Sequence, residues 1–475
     1  MQRVTRHYKA QNRKWGELFI TGMITCCVLG TIYIFNIGIT TLALIGSFIL
    51  LYLLRYPRKT FLLFVFSIPL AEIYVKTPFL AISVTNILIL IIILSLITKF
   101  FIVKPKVSVP PLIKANLFAL FIWVLSYVIG AIHSIDVSVA SRRIITSVGM
   151  ALSFVLPLAL ISDLEQYRKV FIFLIASALL LAFATILAGF GYVPEAYQSI
   201  FATRMGTSRA IIGKCYTQAF MSSRGGYGCW LESALSMTML SIFYKKKLFL
   251  KNSALPLMAF ILILGIVIPS SRSSWLAASS AIFIILLFVL RQRFGFRYSI
   301  MLIVSSLTVL SLYKLGLIQP FVNNLYEMSP ESVDRRFLIY RDALRVAIES
   351  PIFGWGYRAY EMRLGSIFPG MEIHNVFLST FVSNGILALI PLIFIWGISF
   401  YLCLQTIMRP ISETTRLFGI SIFASLIAIL IEAQFYGGGD KIMWLMLGLT
   451  NCLYKLNNNQ TLSGANLYPL GVHGR

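Results

Sequence analysis

The chain has 475 residues, of which 58% are apolar and 12% charged, and its net charge is +24. So few charges exclude a water-soluble globular enzyme with an ordinary polar surface. The positive excess does not point to nucleic acid either, because the basic residues sit in short clusters between long apolar runs, as cytoplasmic anchors of a polytopic membrane protein do.

Apolar runs near the ~20 residues needed to cross ~30 Å of hydrocarbon recur along the whole length. They predict an all-α, polytopic fold of about fourteen helices, at 17–36, 38–54, 60–75, 78–98, 112–132, 144–161, 170–190, 229–244, 253–269, 273–290, 298–318, 375–404, 417–435 and 441–454. The short alternating strands of a membrane barrel are absent from the pattern. The basic start, Arg3, Arg6, Lys9, Arg13 and Lys14, resembles a signal peptide. The apolar run behind it is long and lacks an A-x-A site, so it reads as an uncleaved first helix. With the amino terminus inside, clusters such as Arg55, Arg58 and Lys59, Lys99, Lys104 and Lys106, Lys245 to Lys247, and Arg291, Arg293 and Arg297 all fall on the cytoplasmic side. The chain reads as one integral domain, 1–475, with no internal repeat and a disordered tail from Asn457. Cys26, Cys27, Cys403 and Cys452 lie in apolar runs and read as packing residues. Cys215 and Cys229 flank a polar loop, and the sequence is compatible with a disulfide or with two thiols there.

The same topology puts two long loops, 191–228 and 319–374, on the periplasmic side. They break the charge rule in one direction, with Arg204, Arg209, Lys214 and Arg224 in the first and Arg335, Arg336, Arg341, Arg345, Arg358 and Arg363 in the second. Nearly all are arginine, which forks onto phosphate oxygens and keeps its charge at any relevant pH. A solvated loop surface is the plain alternative, since the second loop also holds Asp334, Asp342 and Glu349.

Three motifs stand out. Ser270-Ser271-Arg272-Ser273-Ser274-Trp275 lies between two apolar runs so close together that Arg272 falls at the outer membrane boundary, either as a functional charge or as an interfacial anchor with Trp275 in the aromatic belt. Pro351-Ile-Phe-Gly354-Trp-Gly356 follows the amphipathic run Arg336 to Ser350 and reads as a turn, neither a P-loop nor a dinucleotide fingerprint. His374-Asn375 precedes a new apolar run, where Asn375 suits an N-cap. His374 beside the positive helix end is then favoured in the neutral form that accepts a proton, although a boundary histidine is the simpler reading. There is no D-x-D pair and no His/Cys cluster with metal spacing. Glu72, Glu232, Arg272, Lys314 and Glu432 fall toward the outer ends of their helices, which disfavours a transporter with a midplane site.

Taken together, Ser271-Arg272-x2-Trp275, Arg336-x3-Tyr340-x2-Ala343, Pro351-x2-Gly354-x-Gly356, His374-Asn375-x2-Leu378 and Gly385 resemble the core of the O-antigen ligase and O-antigen polymerase superfamily, over about residues 265–390. The resemblance implies a bacterial inner-membrane glycosyltransferase that moves a glycan from undecaprenyl diphosphate to an acceptor sugar hydroxyl on the periplasmic face, with inversion and without metal or cofactor. Its partners would be the lipid-linked oligosaccharide, an acceptor glycan, the bilayer, a flippase and a chain-length regulator, and not nucleic acid. Arg272, Arg336 and His374 fall on the family's two arginines and its essential histidine. Tyr340 stands where the family often has tryptophan. Arg209, Arg224, Arg341, Tyr340, Glu372 and Asn375 are candidate substrate-binding residues, and Glu372 is also a rival base to His374. The stretch Arg224-Gly-Gly-Tyr-Gly-Cys-Trp-Leu-Glu232-Ser resembles polysaccharide polymerases, and fourteen spans exceed the twelve usual for ligases, so polymerase is preferred over ligase.

Overall fold

The computed structural model describes residues 37–70, 74–76, 81–102, 109–132, 134, 137–192, 204–205, 215–216, 224–244, 253–269, 271–294, 330–356, 373–435 and 441–465. Helices dominate them. In chain order they are α1 (Ile37–Arg55), α2 (Pro57–Ser67), α3 (Val84–Ile102), α4 (Pro111–Ile132), α5 (Val137–Leu160), α6 (Leu164–Gly189) and α7 (Arg224–Tyr244). There follow α8 (Leu255–Val267), α9 (Arg272–Phe294), α10 (Pro330–Glu349), α11 (Val376–Met408), α12 (Glu413–Ala433) and α13 (Lys441–Ala465). Among the described residues, six segments are long and apolar enough to cross a bilayer: Pro111–Ile132, Ser138–Leu160, Leu164–Gly189, Arg272–Gln292, Val376–Met408 and Glu413–Ala433. The molecule is a multi-pass, predominantly helical membrane protein.

Of the expected helices, 17–36 and 298–318 lie outside the described residues. The pair expected at 60–75 and 78–98 is shortened. α2 ends in a 3₁₀ turn at Ile68–Leu70, where Pro69 lacks a donor to continue the ladder. Beyond it, β1 (Tyr74–Lys76) pairs antiparallel with β2 (Ala81–Ser83). A second ribbon joins β3 (Arg204–Met205) to β4 (Cys215–Tyr216) within the first long loop. α5 starts seven residues before the expected 144, so Arg142 and Arg143 are helical rather than in a loop. α13 runs to Ala465, past the expected start of the tail, and the side chain of Asn457 brackets the α11–α12 connection through Arg409 O and Ile411 N, both at 3.0 Å.

The chain divides into two compact units. The first, Met1–Thr60 with Leu90–Pro105, joins α1 to the later part of α3. There Ser95 Oγ donates to Leu54 O, and Thr60 Oγ1 to Leu53 O. The second, Phe61–Ile89 with Lys106–Arg475, holds the remaining helices. In its interior α7 packs on α6, α8, α9 and α12, and α13 packs on α5, α11 and α12. Residues 226–238 of α7 are all buried. A helix with protein on every side needs no lipid-facing apolar stripe. Hence α7 tolerates Ser233, Ser236, Thr238 and Ser241, whose hydroxyls donate to the carbonyl four residues back. Asn116, Ser399 and Asn451 tie α4, α11 and α13 together through side-chain hydrogen bonds of 3.0–3.3 Å, the polar link that apolar surroundings favour.

One broken helix shapes the site. α11 is interrupted at Gly385, which adopts φ 66°, ψ −166°, a backbone state essentially restricted to glycine. The break exposes backbone groups that an intact helix would pair internally, and the turn after α10 pairs them instead. Trp355 N and Gly356 N donate to Val382 O and Ser383 O at 2.9 Å, while Ile386 N and Leu387 N donate to Pro351 O and Ile352 O at 2.8 and 3.3 Å. The two segments touch so closely that a Cβ on Gly354 would strike the Ser383–Gly385 backbone, and one on Gly385 would strike Ile352. The turn motif is therefore a backbone splice into a membrane helix, which is how a broken span keeps its polar groups satisfied.

Candidate active site

The C-terminal end of α12 is the hub. Glu432, Gln434 and Phe435 collect side chains from three of the motifs. Ser274 Oγ, from the first turn of α9, donates to Glu432 Oε1. Tyr340 of α10 presents its hydroxyl to His374 O at 2.7 Å and Gln434 O at 2.9 Å. Asn375 Oδ1 caps α11 by accepting from Leu378 N at 2.9 Å, and its Nδ2 donates to Gln434 Oε1 at 3.0 Å. Arg336 lies with its Cζ 5.9 Å from the centre of the Phe435 ring, within cation–π range. It also interacts electrostatically with Glu432 and Tyr340. The α12 terminus carries partial negative charge, which favours a guanidinium there.

These links draw Arg272, Arg336 and His374 toward one end of the bundle. Arg272 is the first residue of α9, exposed, at a helix start where backbone N–H groups and the dipole both favour an anion. Ser271 precedes it, and Trp275 N donates to Ser271 O at 3.1 Å. His374 is half-buried, and its carbonyl is fixed by Tyr340. α10 itself is held against α11 by an apolar cluster of Ala343, Val346, Ala347, Ile373 and Val382, joined by Tyr340, Trp355, Leu378 and Phe381. Burial pushes the Tyr340 hydroxyl above its ordinary pKa, with Arg336 opposing the shift, so the group stays a donor. Its engagement with two carbonyls makes Tyr340 a strut between α10, α11 and α12.

The other expected residues fare differently. Arg341 is exposed and paired with Asp342 at 3.2 Å, an acid that also faces Arg345 at 3.8 Å, so it belongs to the solvated face of α10. Arg224 opens α7, with only its backbone described. Arg209, Glu372, Glu72 and Lys314 lie outside the described residues. Cys229 carries a buried thiol on α7. Glu432 is the second-last residue of α12, as its position suggested, whereas Glu232 sits eight residues into α7, fully buried beside Glu432. Gln434 and Phe435 carry no sequence signal of their own, and only packing shows that they organise the motifs. Among the described residues no cluster of three His, Cys, Asp or Glu has metal-holding geometry.

The motif residues that meet at this hub lie largely in one stretch, and that stretch is similar to a known family. Residues 257–393 match the O-antigen ligase family. Over that segment the resemblance to the O-antigen ligase and polymerase superfamily is borne out. The matched segment takes in most of α8, all of α9 and α10, and α11 to just beyond its break, and it contains the expected core 265–390. It leaves out α12, whose terminus nevertheless supplies Glu432, Gln434 and Phe435. A search of curated proteins finds no match to the chain. Members of the O-antigen ligase family are glycosyltransferase-like enzymes that act on lipid-linked glycans.

Proposed function

We propose that the protein is an inner-membrane polysaccharide polymerase that transfers an undecaprenyl-diphosphate-linked glycan to an acceptor sugar hydroxyl at the periplasmic face. The observation that carries this reading is the convergence of the Arg272, Arg336–Tyr340 and His374–Asn375 motifs on the end of α12, within and beside the O-antigen ligase segment. His374 takes the proton of the acceptor hydroxyl, whose oxygen attacks the anomeric carbon. The bond to the diphosphate breaks as the new C–O bond forms on the opposite face, so the anomeric centre inverts. The leaving diphosphate is a stable anion and needs positive charge more than a proton, which Arg272, Arg336 and the α9 start supply. Nothing in these steps requires a metal.

The stretch Arg224–Ser233 supports polymerase, whereas the description of the matched family favours ligation to lipid A core. Deleting the gene separates the two. Loss of the polymerase leaves single repeats on lipid A core, while loss of a ligase leaves bare core and a pool of lipid-linked polymer. An unchanged glycan profile would remove both readings. Purified protein should keep transferring glycan in EDTA, and a loss restored by a divalent ion would contradict the metal-free route.

A further inference from the structure

The apolar side chains of α10 point two ways. Ala343, Val346 and Ala347 face inward, in the cluster with Ile373 and Val382. Phe337, Leu344 and Ile348 face outward, and Phe337 is 71% and Ile348 63% exposed. Positions 337, 344 and 348 share one stripe of the helix. The stripe runs on into the turn, where Ile352 and Phe353 are exposed as well. A helix that met only water on its outer side would carry polar residues there. Single exposed apolar residues are ordinary, but a contiguous run of five marks a surface with a partner.

What the stripe joins decides what covers it. α11 is 33 residues long. The part beyond its break, Ile386 to Met408, is by itself long enough at ~1.5 Å per residue to cross ~30 Å of hydrocarbon. From Val376 to Asn384 every α11 side chain is buried or half-buried. From Ile386 onward an exposed stripe runs down the helix through Ile390, Ile393, Tyr401, Leu404 and Met408, and on a membrane span such a stripe faces lipid. The turn after α10 meets that stripe at its first residues, because Ile386 N donates to Pro351 O at 2.8 Å and Leu387 N to Ile352 O at 3.3 Å. The outer stripe of α10 and the lipid face of α11 therefore adjoin at the break. A water-soluble partner could cover the first but could not follow it onto the second. Beside the apolar stripe of α10 lie the exposed Arg341 and Arg345, which share one acid, Asp342, at 3.2 and 3.8 Å. Long apolar stems with forked heads suit a side chain that crosses from acyl chains to headgroup phosphates.

We infer that the outer face of α10 docks on the phospholipid leaflet at the end of the bundle where α11 begins. Phe337, Leu344 and Ile348 enter the headgroup–acyl boundary, and Arg341 and Arg345 stay on the wet edge among the phosphates. Arg336 and Tyr340 ride on the same helix, so docking holds them at the level of a lipid-borne diphosphate. That consequence rests on the transfer reading above, whereas the docking itself rests only on the helix faces.

The test uses full-length protein, with its native cysteines replaced, in phosphatidylcholine–phosphatidylglycerol vesicles. Nitroxide labels are placed on Phe337→Cys and Ile348→Cys, with Ile390→Cys as the lipid reference and Glu349→Cys on the polar side of α10. Both test positions are exposed, so neither change touches the cluster that holds α10 to α11. The ratio of collisions with oxygen to collisions with a water-soluble nickel chelate reports immersion. It should be at least about threefold higher at 337 and 348 than at 349, and lower than at 390, as for a helix lying in the interface. A ratio at 337 and 348 equal to that at 349 would put the face in water and overturn the docking. Labels shielded from both reagents would show protein there, a second copy or another part of this chain, and would overturn it too. The labels report position whether or not glycan is transferred. Immersed labels in a protein that transfers nothing would count against the transfer reading alone, and labels in water on an active protein would count against the docking alone.

Discussion

In the proposed reading three residues carry the chemistry, and each has its own signature on substitution. Replacing His374 with Ala removes a half-buried side chain whose backbone carbonyl still accepts from Tyr340, so the fold should survive. General-base catalysis is worth roughly 10²–10⁴ in rate. The expected result is a loss of at least ~100-fold in glycan transfer at an unchanged level in the membrane, and near-normal glycan ladders would remove the base assignment. Glu372→Gln, run in parallel, tests the rival base. For Arg272 and Arg336 the informative change is to Lys. A point charge cannot reproduce the planar fork that grips a diphosphate, so Lys should fail nearly as badly as Ala at both positions. Most activity retained in both Lys variants would mean that simple attraction suffices.

At the scale of elements, the geometry of the candidate site depends on how α11 is broken. Gly385→Ala must place a Cβ against Ile352 while holding φ near 66°, and two crossing pairs of backbone hydrogen bonds depend on that geometry. Strain of this kind costs about 1–3 kcal/mol before any clash is counted. The variant should melt clearly lower in detergent, or fail to accumulate, and should lose transfer because the turn, α10 and Arg336 shift together. Gly397 on the same helix is the control, since nothing lies within 4 Å of a Cβ there and the backbone is helical. Gly397→Ala should match wild type, and equal damage from both would show that α11 simply resists substitution. The turn itself was legible from Pro351, Gly354 and Gly356. Its partner was not, because the hydrogen bonds that use it come from residues about thirty positions further on.

For the whole molecule, every functional claim needs both long loops on the periplasmic face. Single cysteines at Ser199 and Ser366, in a background without reactive native cysteines, should react with a membrane-impermeant reagent in cells whose outer membrane is permeabilised. A cysteine at Ser253, exposed just before α8 and beside the Lys245 to Lys251 cluster, should stay unlabelled until the inner membrane is broken. The reverse pattern would put the arginines in the cytosol, where anchoring explains them without catalysis.

The sequence alone determined that this is a helical membrane protein, because spanning a bilayer demands long apolar helices and hydropathy records that directly. It also singled out Arg272, Arg336 and His374, since charge and a lone histidine at membrane boundaries are conspicuous against an apolar background. Only the tertiary structure showed what gathers them. Glu432, Gln434 and Phe435 look like an ordinary helix end until Ser274, Tyr340 and Asn375 are seen to close on them. Arg142 and Arg143 interrupt the apolar run and make α5 look as if it starts late, whereas the helix begins at Val137. Hydropathy counts residues along one strand of chain, whereas a site is made by side chains from several helices, and their meeting is a property of packing.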